Sequence, residues 1–222
     1  MGRHMLERFH EDGAGNLSPI TGIILAGGGS RRMGGVNKAL LKIGGRTVIE
    51  RIVSVLGRVF REVIVVTNSP KPFGFLGLPT YPDIIPGRGS LGGLLTGLHM
   101  SAEQGGFLVA CDMPFLSEAL IRCMIGLVAA RDVVIPSIDG MLEPLHAFYS
   151  KRCIPHIEAL LEADDLKIIH LFANVDMLEV PEEDLIRIDP NLRFAINLNT
   201  PEDYEKAERL ARQIDRTDSP GA

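Results

Sequence analysis

An apolar run, Ile20 to Leu25, passes straight into Ala26-Gly27-Gly28-Gly29-Ser30-Arg31-Arg32-Met33-Gly34-Gly35-Val36-Asn37-Lys38. The run reads as a buried strand. Glycines directly after a strand let backbone N–H groups close around phosphate oxygens, because no Cβ blocks the approach. Two arginines and a lysine in the same loop supply the opposite charge. The segment therefore describes a polyphosphate cradle built on the end of a strand. Two familiar phosphate loops do not match it. A Walker loop requires Lys-Ser/Thr after its second glycine, but Gly34 is followed by Gly35-Val36. A dinucleotide fingerprint requires a third glycine or alanine, where this chain has Arg32.

The rest of the chain places that strand in a larger pattern. Thr47–Gly57, Ser90–Glu103 and Ser117–Ala130 read as helices, and Glu62–Thr67, Phe107–Cys111 and Asp132–Pro136 as strands. Such alternation, with nearly continuous apolar strands, is the pattern of an α/β fold with a mostly parallel sheet covered on both faces. The second half is less regular. Leu142–Tyr149 reads as a strand, Arg152–Glu162 and Asp165–Phe172 as helices, and Phe194–Leu198 as a last strand. Thr200-Pro201-Glu202-Asp203 then opens a final helix running to about Ile214, with a capping Thr, Pro at the first turn and acidic residues beside it. We expect a flexible arm over residues 1–18 and one domain over 19–222.

Composition narrows the partners. The chain has 222 residues, a net charge of −5, no Trp and 5% aromatics, and a pI near 5.7. This disfavours nucleic acid and anionic membrane surfaces, while leaving a small anionic ligand open. No apolar run reaches membrane-spanning length and no signal-peptide core is present, so a cytoplasmic protein is expected. Three cysteines, Cys111, Cys123 and Cys153, suggest neither a zinc site nor a disulfide framework.

Open α/β sheets bind ligands beyond the carboxyl ends of their strands. At those ends stand the glycine loop, Asn68, Asp83 after Thr80-Tyr81-Pro82, Asp112, and Asn197 with Asn199. Asp112 ends an apolar strand and suits Mg²⁺, which takes one or two carboxylates and completes its shell with water and phosphate; an N-cap role is the alternative, although Ser117 is the better cap. Asp83 suits either the ligand or a turn after Pro82. Asn197 and Asn199, two apart on the expected strand, would project to one side, toward metal or substrate, or else serve as turn residues. His146 could orient a substrate, though a buried imidazole satisfied by a backbone carbonyl is the commoner outcome. No nucleophile–histidine arrangement is visible.

Leu25-Ala26-Gly27-Gly28 through Met33-Gly34 and Lys38, with Cys111-Asp112-Met113-Pro114-Phe115, Glu143-Pro144-Leu145 and Asn197-Leu198-Asn199-Thr200-Pro201-Glu202, resembles the molybdenum cofactor guanylyltransferase family. The likeness extends from Thr21 to Leu210. It implies a three-layer Rossmann-like nucleotidyltransferase fold, and transfer of GMP from GTP, with Mg²⁺, onto the phosphate of molybdenum-loaded molybdopterin. By the same resemblance, Leu25, Ala26, Gly27, Gly28, Asn68 and Asp83 would meet the nucleotide. Lys38 and Arg32 would contact phosphates and Asp112 would hold nucleotide and Mg²⁺. Glu143, Asn197 and Asn199 would lie on the pterin side. Proteins that deliver the cofactor and molybdoenzyme chaperones are its implied partners. The family often has Asp before the loop lysine, where this chain has Asn37. A cytidylyltransferase of the same fold is the nearest alternative, disfavoured by Gly27-Gly28 where Ala-Gly is usual. A non-catalytic nucleotide-binding module is the other.

Overall fold

The computed structural model describes residues 18–27 and 37–217. In chain order the elements are β1 (Ser18–Leu25), β2 (Lys42–Ile43), β3 (Arg46–Thr47), α1 (Val48–Val59), β4 (Phe60–Val66), β5 (Thr80–Tyr81), α2 (Gly89–Met100) and β6 (Gly105–Ala110). Then come α3 (Glu118–Gly126), β7 (Val133–Ile138), β8 (Met141–Leu142), β9 (His146–Ser150), α4 (Ile154–Glu162), β10 (Met177–Val180), α5 (Glu182–Ile188) and α6 (Pro201–Thr217). The main sheet runs β10-β7-β9-β6-β1-β4-β5, with β8 paired to β7. The strands from β6 to β5 are mutually parallel, as are β7 and β10, while β9 is antiparallel to both of its neighbours. The expected mostly parallel α/β sheet is thus present, with β9 as its inserted reversed strand. β2 and β3 form a separate antiparallel pair.

Two apolar layers cover the sheet. Ile24, Val65, Phe107 and Val109 pack with α1, α3 and Phe194, and α6 adds Ala207 and Ala211. Ile23, Leu25, Ile64, Val66 and Leu108 pack with α2 and α4. Alternate residues of β1 and β4 thus enter opposite layers, as the pleat requires. α1 starts with a reciprocal capping box between Thr47 and Glu50 and buries Val48, Ile49, Ile52, Leu56 and Val59, a single helical stripe. α2 differs, because every residue from Leu91 to Leu98 is buried. Its glycines allow this. A Cβ on Gly97 would lie 2.6 Å from Cγ2 of Ile23, so only a bare backbone fits against β1 there.

Several sequence-based expectations need correction. The run Leu142–Tyr149 is not one strand: β8 ends at Leu142, and a turn in which the His146 N–H donates to the Glu143 carbonyl (3.0 Å) separates it from β9. Pro144, which has no N–H, stands inside that turn. Asp165–Phe172 is no α-helix; a 3₁₀ segment covers Ile168–Asn174. Phe194–Leu198 is not a strand either. The Asp189 carboxylate, 1% exposed, accepts the N–H of Phe194 at 3.1 Å, and Arg193–Ala195 winds into a 3₁₀ turn. The backbone donor a strand would need is already engaged. The β2–β3 hairpin, β10 and α5 were not anticipated. The hairpin turns at Gly44 and Gly45, whose φ values are 57° and 81°, conformations glycine adopts freely.

Candidate active site

The carboxyl ends of β1, β4 and β6 open onto a cleft of about 840 Å³. Their ends are tied together by backbone. The Ala26 N–H donates to the Val66 carbonyl (2.9 Å) and that of Cys111 to Leu25 (3.1 Å), while the Thr67 hydroxyl donates to the Ala26 carbonyl (3.1 Å). Leu25, Ala26, Gly27, Lys38, Asn68, Asp83 and Asp112 all line this cleft. Gly28 and Arg32, with most of the glycine-rich loop, lie outside the described residues. Ser69, Pro72, Phe73, Ser90 and Leu145 also line it. Ser90 belongs to the glycine-rich segment before α2 and Leu145 to the Glu143-Pro144-Leu145 motif; sequence reasoning missed Ser69, Pro72 and Phe73, although Ser69-Pro70-Lys71-Pro72 directly follows Asn68 and was a visible loop signal.

One floor of the cleft is a polar cluster drawn from three distant segments. Lys38 begins a short 3₁₀ turn whose N-cap is Asn37, with Asn37 Oδ1 accepting from the Ala39 N–H at 3.1 Å. Asn37 therefore serves this turn with a neutral acceptor, which needs no carboxylate charge. Lys38 Nζ lies 3.3 Å from Asp112 Oδ2 and donates to Asn199 Oδ1 at 2.9 Å. The Leu198 N–H donates to the Asp112 carbonyl at 3.0 Å, which pins the third segment to the first two. Asn199 is held from behind. Its N–H and that of Thr200 donate to Asp203 Oδ2 (3.1 and 2.9 Å), and the Asp203 N–H returns to the Thr200 hydroxyl (3.2 Å). The cap of α6 thus positions the amide facing Lys38.

Asn197 and Asn199 do not act as a strand pair. With the expected strand absent, Asn197 turns back and its Nδ2 donates to the Ala195 carbonyl at 3.1 Å; Asn199 alone reaches Lys38. Glu143 is half-buried in the turn before β9. Burial holds its carboxyl above the usual range, and its neighbour Leu145 lines the cleft while Glu143 does not.

The opposite wall carries a reciprocal pair. Asn68 Nδ2 donates to Asp83 Oδ2 at 2.7 Å, and the Asp83 N–H donates to Asn68 Oδ1 at 2.9 Å. Beyond them the chain turns through Gly87 and Gly89, both at positive φ (80° and 59°), and the N-terminal turn of α2 presents Gly89, Ser90 and Gly93 to the cleft. Its free N–H groups and positive helix end favour an anion. Arg88, in the same turn, is paired with Asp164.

A family model described as the MobA-like NTP transferase domain matches residues 22–178. The chain belongs to that family. It is 38% identical to a molybdenum cofactor guanylyltransferase of Desulfosudis oleivorans, over 86% of this chain and 96% of the relative. It is 42% identical to a Pelotomaculum thermopropionicum protein named probable molybdenum cofactor guanylyltransferase, over 86% and 93%. The crystal structure of molybdopterin-guanine dinucleotide biosynthesis protein A from Archaeoglobus fulgidus superposes with a TM-score of 0.76 at 25% identity, over 87% of this chain and all of that one. The chain is accordingly a nucleotidyltransferase.

The MobA-like site is equipped for transfer between two anions rather than for covalent catalysis. Burial and the neighbouring Asp112 carboxylate push the Cys111 thiol up to about 12, which favours the protonated thiol over the reactive thiolate. Among the described residues no three His, Cys, Asp or Glu side chains gather to cage a metal. Asp112, with the Asn199 amide close by, instead fits a hard cation that takes one protein carboxylate and fills its shell with phosphate oxygens and water. No described helix is long and apolar enough to cross a membrane.

Proposed function

We propose that this cleft transfers GMP from GTP to the phosphate of molybdenum-loaded molybdopterin. An oxygen of the acceptor phosphate bonds to the α-phosphorus, the bond from that phosphorus to the β-phosphate oxygen breaks, and pyrophosphate leaves with the electron pair. The dinucleotide form of the cofactor remains. The observation that carries the reading is Lys38 between Asp112 and Asn199. One cation stands there between a carboxylate and an amide at the floor of a cleft large enough for a nucleotide.

Each residue then has a task. The backbone of Leu25–Gly27, with Gly28, receives the nucleotide, and Asn68 and Asp83 hold it from the opposite wall. Lys38, with Arg32, neutralises charge that develops on the leaving pyrophosphate, and the N-terminal turn of α2 offers N–H groups to the same anion. Asn199 faces the acceptor, whereas Asn197, turned back to the Ala195 carbonyl, and Glu143, outside the cleft lining, have no such task. Asp112 would hold Mg²⁺, which when bound polarises the phosphoryl oxygens and screens the two anions from each other. Positioning and charge neutralisation supply the rate, with no protein nucleophile. In this reading one domain spans 19–222, the enzyme works in the cytoplasm, and proteins that deliver the cofactor or receive it are its partners.

The decisive assay offers GTP and CTP separately, with Mg²⁺ and molybdenum-loaded molybdopterin, and follows pyrophosphate release. GTP-dependent release is the expected result. Preference for CTP overturns the base assignment, and nucleotide binding without any pyrophosphate release overturns catalysis.

A further inference from the structure

Helices α2 and α4 pack together in one apolar layer, which holds Leu91, Leu94 and Leu98 of the first with Ile157 and Leu161 of the second. Arg88, just before α2, pairs with Asp164, just past the end of α4, while His99 in the last turn of α2 lies 3.5 Å from Glu158. The helices therefore run in opposing directions, and the start of α2, which faces the cleft, rests beside the end of α4. We propose that Arg88 and Asp164 are a positioning pair: they fix the N-terminal turn of α2 where its N–H groups meet the phosphates of the nucleotide. This rests on the reading that the cleft takes a nucleoside triphosphate.

Neither residue suits its own helix. Arg88 is the N-cap of α2, where the helix end is positive and disfavours a cation. Asp164 follows the end of α4, which is negative and disfavours an anion. N-cap positions favour side chains that accept hydrogen bonds, and a guanidinium only donates. Arg88 accordingly makes no side-chain cap, which leaves the N–H groups of the first turn to a ligand. The two charges make electrostatic sense only with each other.

The backbone at Asp164 points the same way. Its N–H donates to the Leu161 carbonyl (3.2 Å) and that of Asp165 to Leu160 (2.9 Å). These are the paired bonds of a Schellman ending, and Asp164 occupies its left-handed position at φ 57°. Glycine takes that conformation most freely. Here an aspartate stands instead. Its side chain is 79% exposed, and so exposed an ion pair adds little to stability, so stability does not account for it. What the carboxylate meets is the one side chain of Gly87-Arg88-Gly89, whose two glycines are at positive φ and line the cleft. Arg88 is also seated on bare backbone, since a Cβ on Gly92 would lie 2.6 Å from the Arg88 Cβ. A turn between two glycines visits other conformations unless it is held, and apparent affinity falls with the fraction of time spent in the competent one.

The test is Asp164→Gly in the full chain, which keeps the left-handed turn and removes the carboxylate. The unfolding midpoint should equal the parent's or exceed it. KM for GTP, with Mg²⁺ and the acceptor present, should rise about three- to fivefold, the scale of one exposed ion pair. Saturating GTP holds the turn itself, so kcat should stay within about twofold. Arg88→Gln should raise KM similarly, and the double variant should be little worse than either single one. Raising ionic strength should narrow the gap between parent and Asp164→Gly. The pair is overturned if Asp164→Gly leaves KM within about 1.5-fold of the parent, or lowers it, which would mean that Asp164 withholds Arg88 from the ligand. Additive losses would overturn it too, by showing that Arg88 acts on the nucleotide without Asp164. A parent that releases no pyrophosphate fails the cleft's assignment instead. The pair is then judged by calorimetric affinity for GTP, which should weaken by the same factor, and a parent that binds no GTP overturns both.

Discussion

Lys38 and Asn199 stand 161 positions apart in the chain, yet Lys38 Nζ donates to Asn199 Oδ1 at 2.9 Å. The same nitrogen lies 3.3 Å from Asp112. Two edges of the fold, the first loop and the approach to the last helix, are thereby joined at one ammonium group. Both charged side chains are only about a fifth exposed (19% and 22%), but the pair is not sealed from solvent, so it contributes roughly 0–1 kcal/mol to stability. Lys38→Ala and Asp112→Ala should therefore leave the unfolding midpoint within a few degrees of the parent while cutting turnover by about 100-fold or more, the scale of losing one preorganised electrostatic group. Pyrophosphate release and thermal denaturation check the two halves. Near-full turnover in either variant would refute the assignment.

If Asn199 acts by holding Lys38, the two substitutions are coupled. Asn199→Ala alone should lower turnover by about 10-fold or more, and adding it to Lys38→Ala should cost little further. A double-mutant cycle that gave additive losses would show that Asn199 acts on the acceptor independently of the lysine.

The cleft was legible because its parts sit where strands end. Ile20–Leu25 and Phe107–Cys111 announce themselves by continuous apolar character, and the residues that follow a parallel strand collect on one edge. The Asn197 and Asn199 geometry was not legible. Phe194 looks like a strand residue by composition, but Asp189, five positions earlier, takes its N–H. Leu142–Tyr149 reads as a strand throughout, and what stays hidden is where it starts: the turn at Glu143–His146 delays β9 to His146. β10 begins Met177-Leu178-Glu179, a stretch too short and mixed to declare a period. The Asp189–Phe194 and Glu143–His146 contacts are both local, but they are hydrogen bonds, which a reading of hydrophobic period does not register.

The reciprocal hydrogen bonds of Asn68 and Asp83 (2.7 and 2.9 Å) make one unit of two side chains. Removing either leaves the other without its partner. Asn68→Ala and Asp83→Ala should each raise KM for the nucleotide several-fold, with the double variant little worse than the worse single. Steady-state kinetics across the four proteins measures this. Unchanged KM in both single variants would remove the pair from nucleotide binding.

The contact between α2 and β1 gives a stability test away from the chemistry. Gly97 and Ile23 are both buried, and a Cβ at Gly97 would approach Ile23 Cγ2 to 2.6 Å and Cδ1 to 3.0 Å. A β-branched side chain has few rotamers with which to yield. Gly97→Ala gains helix propensity of about 1 kcal/mol, but the overpacking costs about 1–3 kcal/mol. The clash is to a branch methyl inside the packed core, so the loss should prevail. Chemical denaturation should show a lower midpoint with an unchanged slope. A more stable Gly97→Ala protein would mean that α2 can shift away from the sheet.

His146 is fully buried on β9, edge-on to Phe107 (5.1 Å between ring centres) and tilted against Phe194 (4.7 Å). The backbone carbonyl expected to satisfy it is absent: neither ring nitrogen has a hydrogen-bond partner among the described residues. Burial alone lowers its pKa from 6.5 to about 3. The folded state therefore keeps the ring neutral at pH values where the unfolded chain protonates it. With more protons bound in the unfolded state, this contribution is complete above pH 6.5 and is lost as pH falls from there toward 3, by up to about 1.4 kcal/mol per unit. His146→Phe keeps an aromatic ring among aromatic neighbours and removes the titration. Carboxylates lower the stability of both proteins in acid, so the informative quantity is the difference between them. Denaturant titrations from pH 8 to pH 4 should show that difference constant above pH 7 and moving steadily in the variant's favour below pH 6. Parallel curves would mean that the folded protein accommodates a charged His146, and the ring would then have a polar partner.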